Sequence, residues 1–174
     1  GTARVFWSKD GKTFADSHSA VLPINANGLW HEPQLELSID APADVLRLLP
    51  CVSQGTVQFA WIRLYDGVGK VVHEWDFKAE PKAQSRAKPQ PQPVVGGWQA
   101  GANGHAILTL KDGLLVVVAG QGDLMLMTGE PLRVATGSYV FTLRMKATAK
   151  GGGQLFGRPE KRGYERGSGT PFPV

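Results

Sequence analysis

Alternation of apolar and polar residues with a period of two is the feature of this sequence that most limits its fold. In the stretch 137–148 (GSYVFTLRMKAT), every second residue across 139–145 is large and apolar. The stretch 70–77 (KVVHEWDF) alternates in the same way and places Trp75 and Phe77 on its inward face. Both stretches predict β-strands that pack one of their faces against a core.

A third stretch, 56–66 (TVQFAWIRLYD), is apolar on both faces except at Arg63. Such a strand is typical of a two-sheet sandwich. Strict alternation places Phe59 and Trp61 on one face of the strand and Ile62 on the other.

Residues 105–120 (HAILTLKDGLLVVVAG) form two apolar runs on either side of Asp112 and Gly113, which is a strong signal for a two-residue hairpin turn. The stretch 42–50 (PADVLRLLP) fits a short strand as well as a helical turn, and no stretch has a helical period of useful length. The sequence therefore predicts an all-β protein, an antiparallel β-sandwich or jelly roll.

Residues 78–93 (KAEPKAQSRAKPQPQP) contain no large apolar side chain and are rich in proline, lysine and glutamine. This composition cannot bury enough surface to offset the entropy of ordering it, and the prolines favour an extended spacer. We therefore expect a linker here, with structured segments at 1–77 and 94–174.

The two ends of the chain resemble each other. The first and last 24 residues align without a gap at a constant offset of 150 residues. Phe14 aligns with Tyr164, and Leu22 aligns with Phe172. The identical pairs are Gly1 and Gly151, Phe6 and Phe156, and Pro23 and Pro173.

An offset of this size matches a β-sandwich domain with its linker. The pattern favours the C-terminal half of one module in 1–77 and the N-terminal half of a second, related module in 94–174. The two halves could also close into one sandwich in permuted order, which would make one copy of the repeated hairpin redundant. We expect the glycine-rich second copy to be the poorly packed one. Chance similarity between two glycine-rich hairpins is the alternative.

Composition excludes several classes of function. The net charge of +4 does not predict nucleic-acid binding, because the cations concentrate in the linker and the C-terminal tail. No stretch reaches the roughly 20 apolar residues of a membrane span. Cys51 is the single cysteine, so an internal disulfide is impossible. The chain begins with Gly1, which leaves open whether a leader was removed.

Four stretches carry a resemblance to a known family: NGLWHE (27–32), GTVQFAWIRL (55–64), EWDF (74–77) and RMKATAKGGGQLF (144–156). They resemble the β-sandwich modules appended to secreted sulfatases of planctomycete-type bacteria. Those modules are similar in fold to galactose-binding-like, carbohydrate-binding jelly rolls. The sequence departs from the family pattern at Gly157, where an aromatic residue is usual.

The resemblance implies a non-catalytic accessory module beside a hydrolase that acts on polysaccharide. Its expected partners are a polysaccharide, which could be sulfated, and the catalytic domain of the same parent chain. The resemblance also implies a secreted or periplasmic location. A structural Ca²⁺ is common in such jelly rolls, but no acidic loop pattern in this sequence locates one.

No arrangement of residues in the sequence predicts a catalytic centre. Asp16, Ser17 and His18 are adjacent, and neighbours on an extended chain point to opposite faces, so a triad is not expected. Glu74 and Asp76 share a strand face, as a glycosidase pair would, but exposed acids are the simpler interpretation. The four histidines lack metal-ligand spacing. The sulfatase nucleophile motif, Cys or Ser followed by x-Pro-Ser-Arg, is absent.

The candidate ligand-binding residues are aromatic and basic. Sugars present C–H faces that stack on aromatic rings. Trp7, Trp30 and Trp98 lie at strand ends or in loops, where binding residues collect, although ordinary packing is the alternative for each. Trp61 and Trp75 lie in apolar alternation and are expected in the core.

Arg63 and Arg144 each interrupt an apolar strand. An unpaired buried arginine is costly, so one interpretation pairs them with carboxylates such as Glu36 or Asp76, or exposes them at a sheet edge. The functional hypothesis is that they line one face and bind sulfate or uronate groups by bidentate hydrogen bonds. The competing function for the chain is a structural module that packs on the catalytic domain and binds no ligand.

Overall fold

A computed structural model describes residues 1–50, 55–78, 94–101, 106–119 and 124–149, together with the backbone of the strand residues 154–155 and 170–171. The protein is all-β, with two antiparallel sheets packed face to face and a separate two-stranded ladder near the C-terminus. This confirms the predicted antiparallel β-sandwich. A single turn of 3₁₀-helix, Asp16–His18, precedes the second strand. The described residues include no helix with the length and hydropathy that crossing a membrane requires.

The strands in chain order are β1 (Thr2–Ser8), β2 (Ser19–Pro23), β3 (Gln34–Ile39), β4 (Val45–Leu49), β5 (Gly55–Asp66), β6 (Val71–Asp76), β7 (Trp98–Ala100), β8 (Ala106–Lys111), β9 (Leu114–Ala119), β10 (Leu126–Thr128), β11 (Gly137–Ala149), β12 (Gln154–Leu155) and β13 (Thr170–Pro171).

Sheet A has the order β2-β1-β4-β10-β7, and sheet B has the order β3-β11-β5-β9-β8, with β6 also paired to β5. Strands from both sides of the linker share each sheet, since β11 pairs with β3 and β5, and β10 pairs with β4 and β7. The division into two half-modules stays a prediction. The expected poor packing of the second hairpin copy falls mostly outside the described residues.

The core lies between the sheets and is built from alternate residues of each strand. Sheet A contributes Leu48 and Trp98, and sheet B contributes Phe59, Phe141 and other residues that are fully buried. The alternation predicted for β11 is confirmed, because the apolar residues across 139–145 face the core. Within residues 42–50, Val45–Leu49 form strand β4 rather than a helical turn.

The hairpin predicted at Asp112 and Gly113 is also confirmed. β8 and β9 pair from Lys111 and Leu114 outward, so the connection has two residues. Both residues have positive φ, 53° for Asp112 and 71° for Gly113. Two left-handed residues are what a type I′ turn requires, and that turn matches the twist of the flanking strands.

β5 contains a bulge at Ala60 that decides which side chains reach the surface. Opposite β11, Trp61 pairs with Arg144 and Phe59 pairs with Met145, so Ala60 is an extra residue without a direct partner. The bulge occurs where the other neighbour of β5 changes from β9 to β6. An extra residue reverses the alternation of faces beyond it.

The bulge corrects the expectation for Trp61. Phe59 faces the core before the bulge, and Ile62 and Leu64 face it afterwards, so Trp61 and Arg63 are turned to the outer face of sheet B. Strict alternation, which assumes a regular strand, placed Trp61 in the core. Trp75 was also expected in the core, and it is partly buried and packed against it.

Deleting Ala60 should preserve cooperative folding and the faces of β5. Without the extra residue, Phe59 and Trp61 become neighbours that still lie opposite Met145 and Arg144, so Ile62 stays in the core and Arg63 stays on the outer face. The substitution Ala60→Gly keeps the bulge and should cost about 0.5–1 kcal/mol of unfolding free energy. Urea denaturation followed by tryptophan fluorescence measures both variants. Loss of cooperative unfolding in the deletion variant alone would contradict this account of the bulge.

Candidate functional site

Directly opposed residues form a polar row across the outer face of sheet B. Thr142 of β11 lies opposite Gln34 of β3 on one side and opposite Arg63 of β5 on the other. Arg63 in turn lies opposite Glu74 of β6. Opposed residues in antiparallel strands share a face. The row therefore places an amide, a hydroxyl, a guanidinium and a carboxylate side by side.

Aromatic residues flank this row. We define the aromatic–arginine face by six residues: Trp30, Trp61, Arg63, Tyr65, Thr142 and Arg144. A groove of about 460 Å³ opens on this face. Its lining residues are Glu32, Gln34, Trp61, Arg63, Tyr65, Gly69, Val140 and Thr142.

Arg63 is held in place from two directions. Its guanidinium lies over the Trp61 ring, 4.4 Å from the ring centroid. Its Nε donates a hydrogen bond of 2.7 Å to Oε1 of Glu74. The Glu74 carboxylate raises the pKa of Arg63, and partial burial opposes this shift. With its plane fixed by the ring and the carboxylate, Arg63 is preorganised to present its remaining N–H groups.

Arg144 repeats this arrangement at the edge of the groove. Its Nη1 donates to Oε1 of Glu32 at 2.9 Å, and its guanidinium lies 5.7 Å from the Trp30 ring centroid. The Lys146 ammonium lies 5.3 Å from the same centroid. Contacts of this length are within the range of cation–π interactions. Trp30 is 37% exposed, so one part of its ring surface remains accessible.

Both arginines are paired, as the structural interpretation expected, but the partners differ. Glu36 and Asp76 were the expected carboxylates. Glu36 lies opposite Val140 on β11, and Asp76 lies opposite Trp61 on β5. The strand registers therefore place Glu74 opposite Arg63, and these registers could not be read from sequence alone.

Thr142 lines the groove with an unpaired polar atom. The residue is 5% exposed, and its Oγ1 has no hydrogen-bond partner among the described residues. A buried hydroxyl without a partner is costly and is usually satisfied by an ordered water or a ligand. The residue lies between Gln34 and Arg63, so a hydroxyl-bearing molecule in the groove would have polar groups on both sides.

The structure does not bring Trp7 and Trp98 to this face. Both lie near strand ends, as expected, but Trp7 is 5% exposed and Trp98 is fully buried. Trp98 packs on Trp75 with 5.1 Å between ring centroids. Position at a strand end does not specify which face a side chain takes, and both of these side chains lie on the inward face. Their rings therefore contribute to the core, and Tyr65, which the sequence did not single out, lines the groove instead.

A second groove, of about 530 Å³, lies at one end of the sandwich and offers less for recognition. Its polar groups include Lys9 and Asp44, which already pair with each other at 2.9 Å. Its remaining lining residues are Pro42, Pro131, Arg133, Val134 and Ala135. Because no aromatic ring lines it, the aromatic–arginine face is the better candidate site.

The structure separates the side chains of the Asp16–Ser17–His18 arrangement, whereas Glu74 and Asp76 do share one face of β6, where Glu74 pairs with Arg63. Asp16 pairs with Arg4 at 3.1 Å, whereas His18 pairs with Asp40 at 3.3 Å, so the two side chains have separate partners. Within the described ranges, no group of three or more His, Cys, Asp or Glu residues is placed to hold a metal ion. The structural Ca²⁺ that the resemblance suggested stays a prediction.

Comparisons with known proteins add no family. No family model matches the chain, and neither the curated proteins nor the solved structures yield a match. The resemblance to sulfatase-appended modules thus rests on the sequence motifs alone.

Replacing Thr142 by valine should leave the unfolding free energy unchanged or raise it by about 1 kcal/mol, because a buried unpaired hydroxyl is removed. Thr128→Val is the matched control. Thr128 is also buried, but its Oγ1 accepts a hydrogen bond of 3.2 Å from the Leu46 N–H. The control should lose about 1–3 kcal/mol. Urea denaturation of both variants tests this; equal destabilisation would show that Thr142 Oγ1 has a partner in the free protein.

Proposed function

We propose that this protein is a non-catalytic, carbohydrate-binding accessory module and that the aromatic–arginine face binds the glycan. The Trp61–Arg63–Glu74 arrangement carries the proposal. It combines a partly exposed indole ring with a guanidinium and a carboxylate whose orientations are fixed by each other. Sugar rings are recognised by this combination, because they present C–H faces next to hydroxyl groups.

The groove supplies both kinds of hydrogen-bonding group. Gln34 provides an amide that donates and accepts, and Arg63 retains N–H groups beyond the one given to Glu74. Thr142 lies between them, with its hydroxyl buried beneath the groove. These groups lie on adjacent strands, so their spacing is set by the strand separation of roughly 4.8 Å. This spacing is comparable to that between hydroxyl groups on opposite sides of one pyranose ring.

The charges favour an uncharged sugar over a sulfated one. Arg63 and Arg144 are each paired with a carboxylate, which removes the excess positive charge that a polyanion would require. Glu36 and Asp76 add further negative charge to the same face of sheet B. The bidentate sulfate clamp considered from sequence is therefore the less favoured form of this proposal.

The proposed role is to raise the local concentration of polysaccharide near a catalytic domain of the same parent chain. Such a module contributes through effective concentration rather than chemistry. Association with a sulfatase, an extracytoplasmic location and the tandem arrangement of related modules belong to this proposal. Their support is the family resemblance and the repeated chain ends.

A structural or interaction module is the second candidate, and one observation favours it. Ile107 and Val118 lie opposite each other on β8 and β9 and are 66% and 43% exposed. Together they form a small apolar patch on sheet B that could pack on a neighbouring domain.

Trp61→Ala should weaken binding to an uncharged polysaccharide about tenfold or more, which corresponds to about 1.4 kcal/mol. Loss of the ring removes the stacking surface and the support of Arg63. Affinity electrophoresis against neutral, uronate-containing and sulfated polysaccharides measures the change. Ile107→Ala, an exposed apolar residue away from the groove, is the matched control and should bind normally. Absence of binding to every polysaccharide by the unmodified protein would favour the interaction module.

Arg144→Ala distinguishes the two charge classes of ligand. For an uncharged sugar, the substitution should reduce affinity only a few-fold, and added salt should have little effect, because no net ion pairing is involved. A sulfated ligand predicts a large loss on Arg144→Ala and strong weakening by salt. Isothermal titration calorimetry at low and high salt separates these outcomes.

A further inference from the structure

The short strand pair near the C-terminus has the same register as the first hairpin. In β1–β2, Arg4 lies opposite Val21 and Val5 lies opposite Ala20. In β12–β13, Gln154 lies opposite Pro171 and Leu155 lies opposite Thr170. Each of these partners is displaced by 150 residues from its counterpart, the same offset at which the two ends of the sequence align. The pairing register and the sequence alignment are separate observations, and they agree.

The first hairpin occupies a defined place in sheet A. β1 forms a five-residue ladder with β4, in which Arg4 lies opposite Leu49. On the inner face, Val5 and Leu22 of this hairpin are fully buried. This place is the edge of sheet A beside β4.

On the outer face, the hairpin encloses Arg47 of β4. The guanidinium of Arg47 lies 5.2 Å from the ring centroid of Phe6 and 5.0 Å from that of Phe14. The two rings themselves meet edge to face at 6.3 Å. An occupant of this place therefore needs apolar residues on one face and two aromatic rings on the other.

The C-terminal sequence meets this requirement at the equivalent positions. Leu155 and Phe172 correspond to the buried Val5 and Leu22, and the aromatic pair is repeated by Phe156 and Tyr164. Two departures stand at buried positions: Gly157 corresponds to Trp7, and Arg158 corresponds to Ser8. Loss of so large a side chain from the core makes the second hairpin the weaker occupant.

The end of β11 also leads toward this place. Thr148 forms a bridge with Asn27, and the Gly28 N–H donates to the Ala147 carbonyl at 3.0 Å. The Gly1 amino group donates to the Ile24 carbonyl at 2.9 Å, and Ile24 lies three residues before Asn27. The start of β1 is therefore close to the end of β11. The residues between β11 and β12 can extend over roughly 15 Å at about 3.3–3.6 Å per residue.

We infer that residues 151–174 form an exchangeable second edge hairpin, which takes the β1–β2 place against β4 of the same chain when β1–β2 leaves it. The segment 25–149 then offers one position beside β4 to two hairpins. The β1–β2 hairpin is connected to this segment through β3, and residues 151–174 are connected to it through β11. Trp7 gives the first hairpin precedence in the unmodified chain. This inference does not depend on the proposed glycan binding.

A disulfide trap in the full chain tests the exchange. Val5→Asp and Trp7→Gly weaken the first hairpin, because a buried charge and a lost ring both oppose its packing. Leu49→Cys and Gln154→Cys then detect whether the C-terminal segment lies beside β4. Gln154 is the equivalent of Arg4, and Arg4 lies opposite Leu49. Cys51→Ser removes the natural thiol. We expect an intramolecular disulfide in most monomers, detected by non-reducing electrophoresis and peptide mass mapping.

Two controls make the trap specific. Replacing Gln154→Cys by Leu155→Cys should reduce the disulfide strongly, because adjacent strand residues point to opposite faces. Keeping Val5 and Trp7 should slow disulfide formation by about tenfold or more, because β1 must first open from β4.

A second variant tests whether the C-terminal hairpin binds beside β4 too weakly to be trapped. Gly157→Trp restores the ring that Trp7 supplies in the first copy and should increase the yield of the disulfide. Absence of the monomeric disulfide both with and without Gly157→Trp overturns the inference. So does a disulfide found only in covalent dimers, or one that forms equally well with either cysteine position.

Discussion

The bulge at Ala60 is the constraint on which the rest of sheet B depends. β5 is the strand that pairs with β11 along its whole length while its other edge is shared between β9 and β6. The bulge lies at the change from β9 to β6 and reverses the faces of every residue that follows. Ile62 and Leu64 can then fill the core while Trp61 and Arg63 reach the surface. A regular strand of the same residues would turn Arg63 into the core and would not form the aromatic–arginine face.

The same feature marks the limit of what sequence could predict. The Asp112–Gly113 hairpin and the alternation of β11 were predicted correctly, because a two-residue turn and a regular strand are determined by nearby residues. Trp61 was misplaced because the bulge depends on which strands meet at β5, and such long-range pairing leaves no local signal. Trp98 shows a different limit. Its position at a strand end was compatible with a binding role or with ordinary packing, and its contact with Trp75 in the core corresponds to packing.

Strand register also explains why the aromatic–arginine face could be only partly predicted. Arg63 and Arg144 were identified as unusual residues in apolar strands, which was correct. Glu74 is the partner of Arg63 because of the register of β6 on β5, and Glu32, just before β3, is the partner of Arg144. Neither pairing can be read from spacing along the chain. These partners change the expected chemistry. An arginine paired with a carboxylate and stacked on an indole ring is a rigid, nearly neutral recognition group, whereas an unpaired arginine would attract sulfate.

The similar chain ends raise the question of which one pairs with β4, and sequence similarity alone could not raise it. Two weakly similar stretches of 24 residues could be unrelated hairpins. Agreement of their pairing registers means that the equivalent backbone positions pair with each other in both stretches, where the structure describes them. The buried positions at which the two stretches differ include Trp7 against Gly157 and Ser8 against Arg158. Under the proposed exchange, a few side chains at such positions decide which hairpin completes sheet A, while the β4 edge that receives it stays the same.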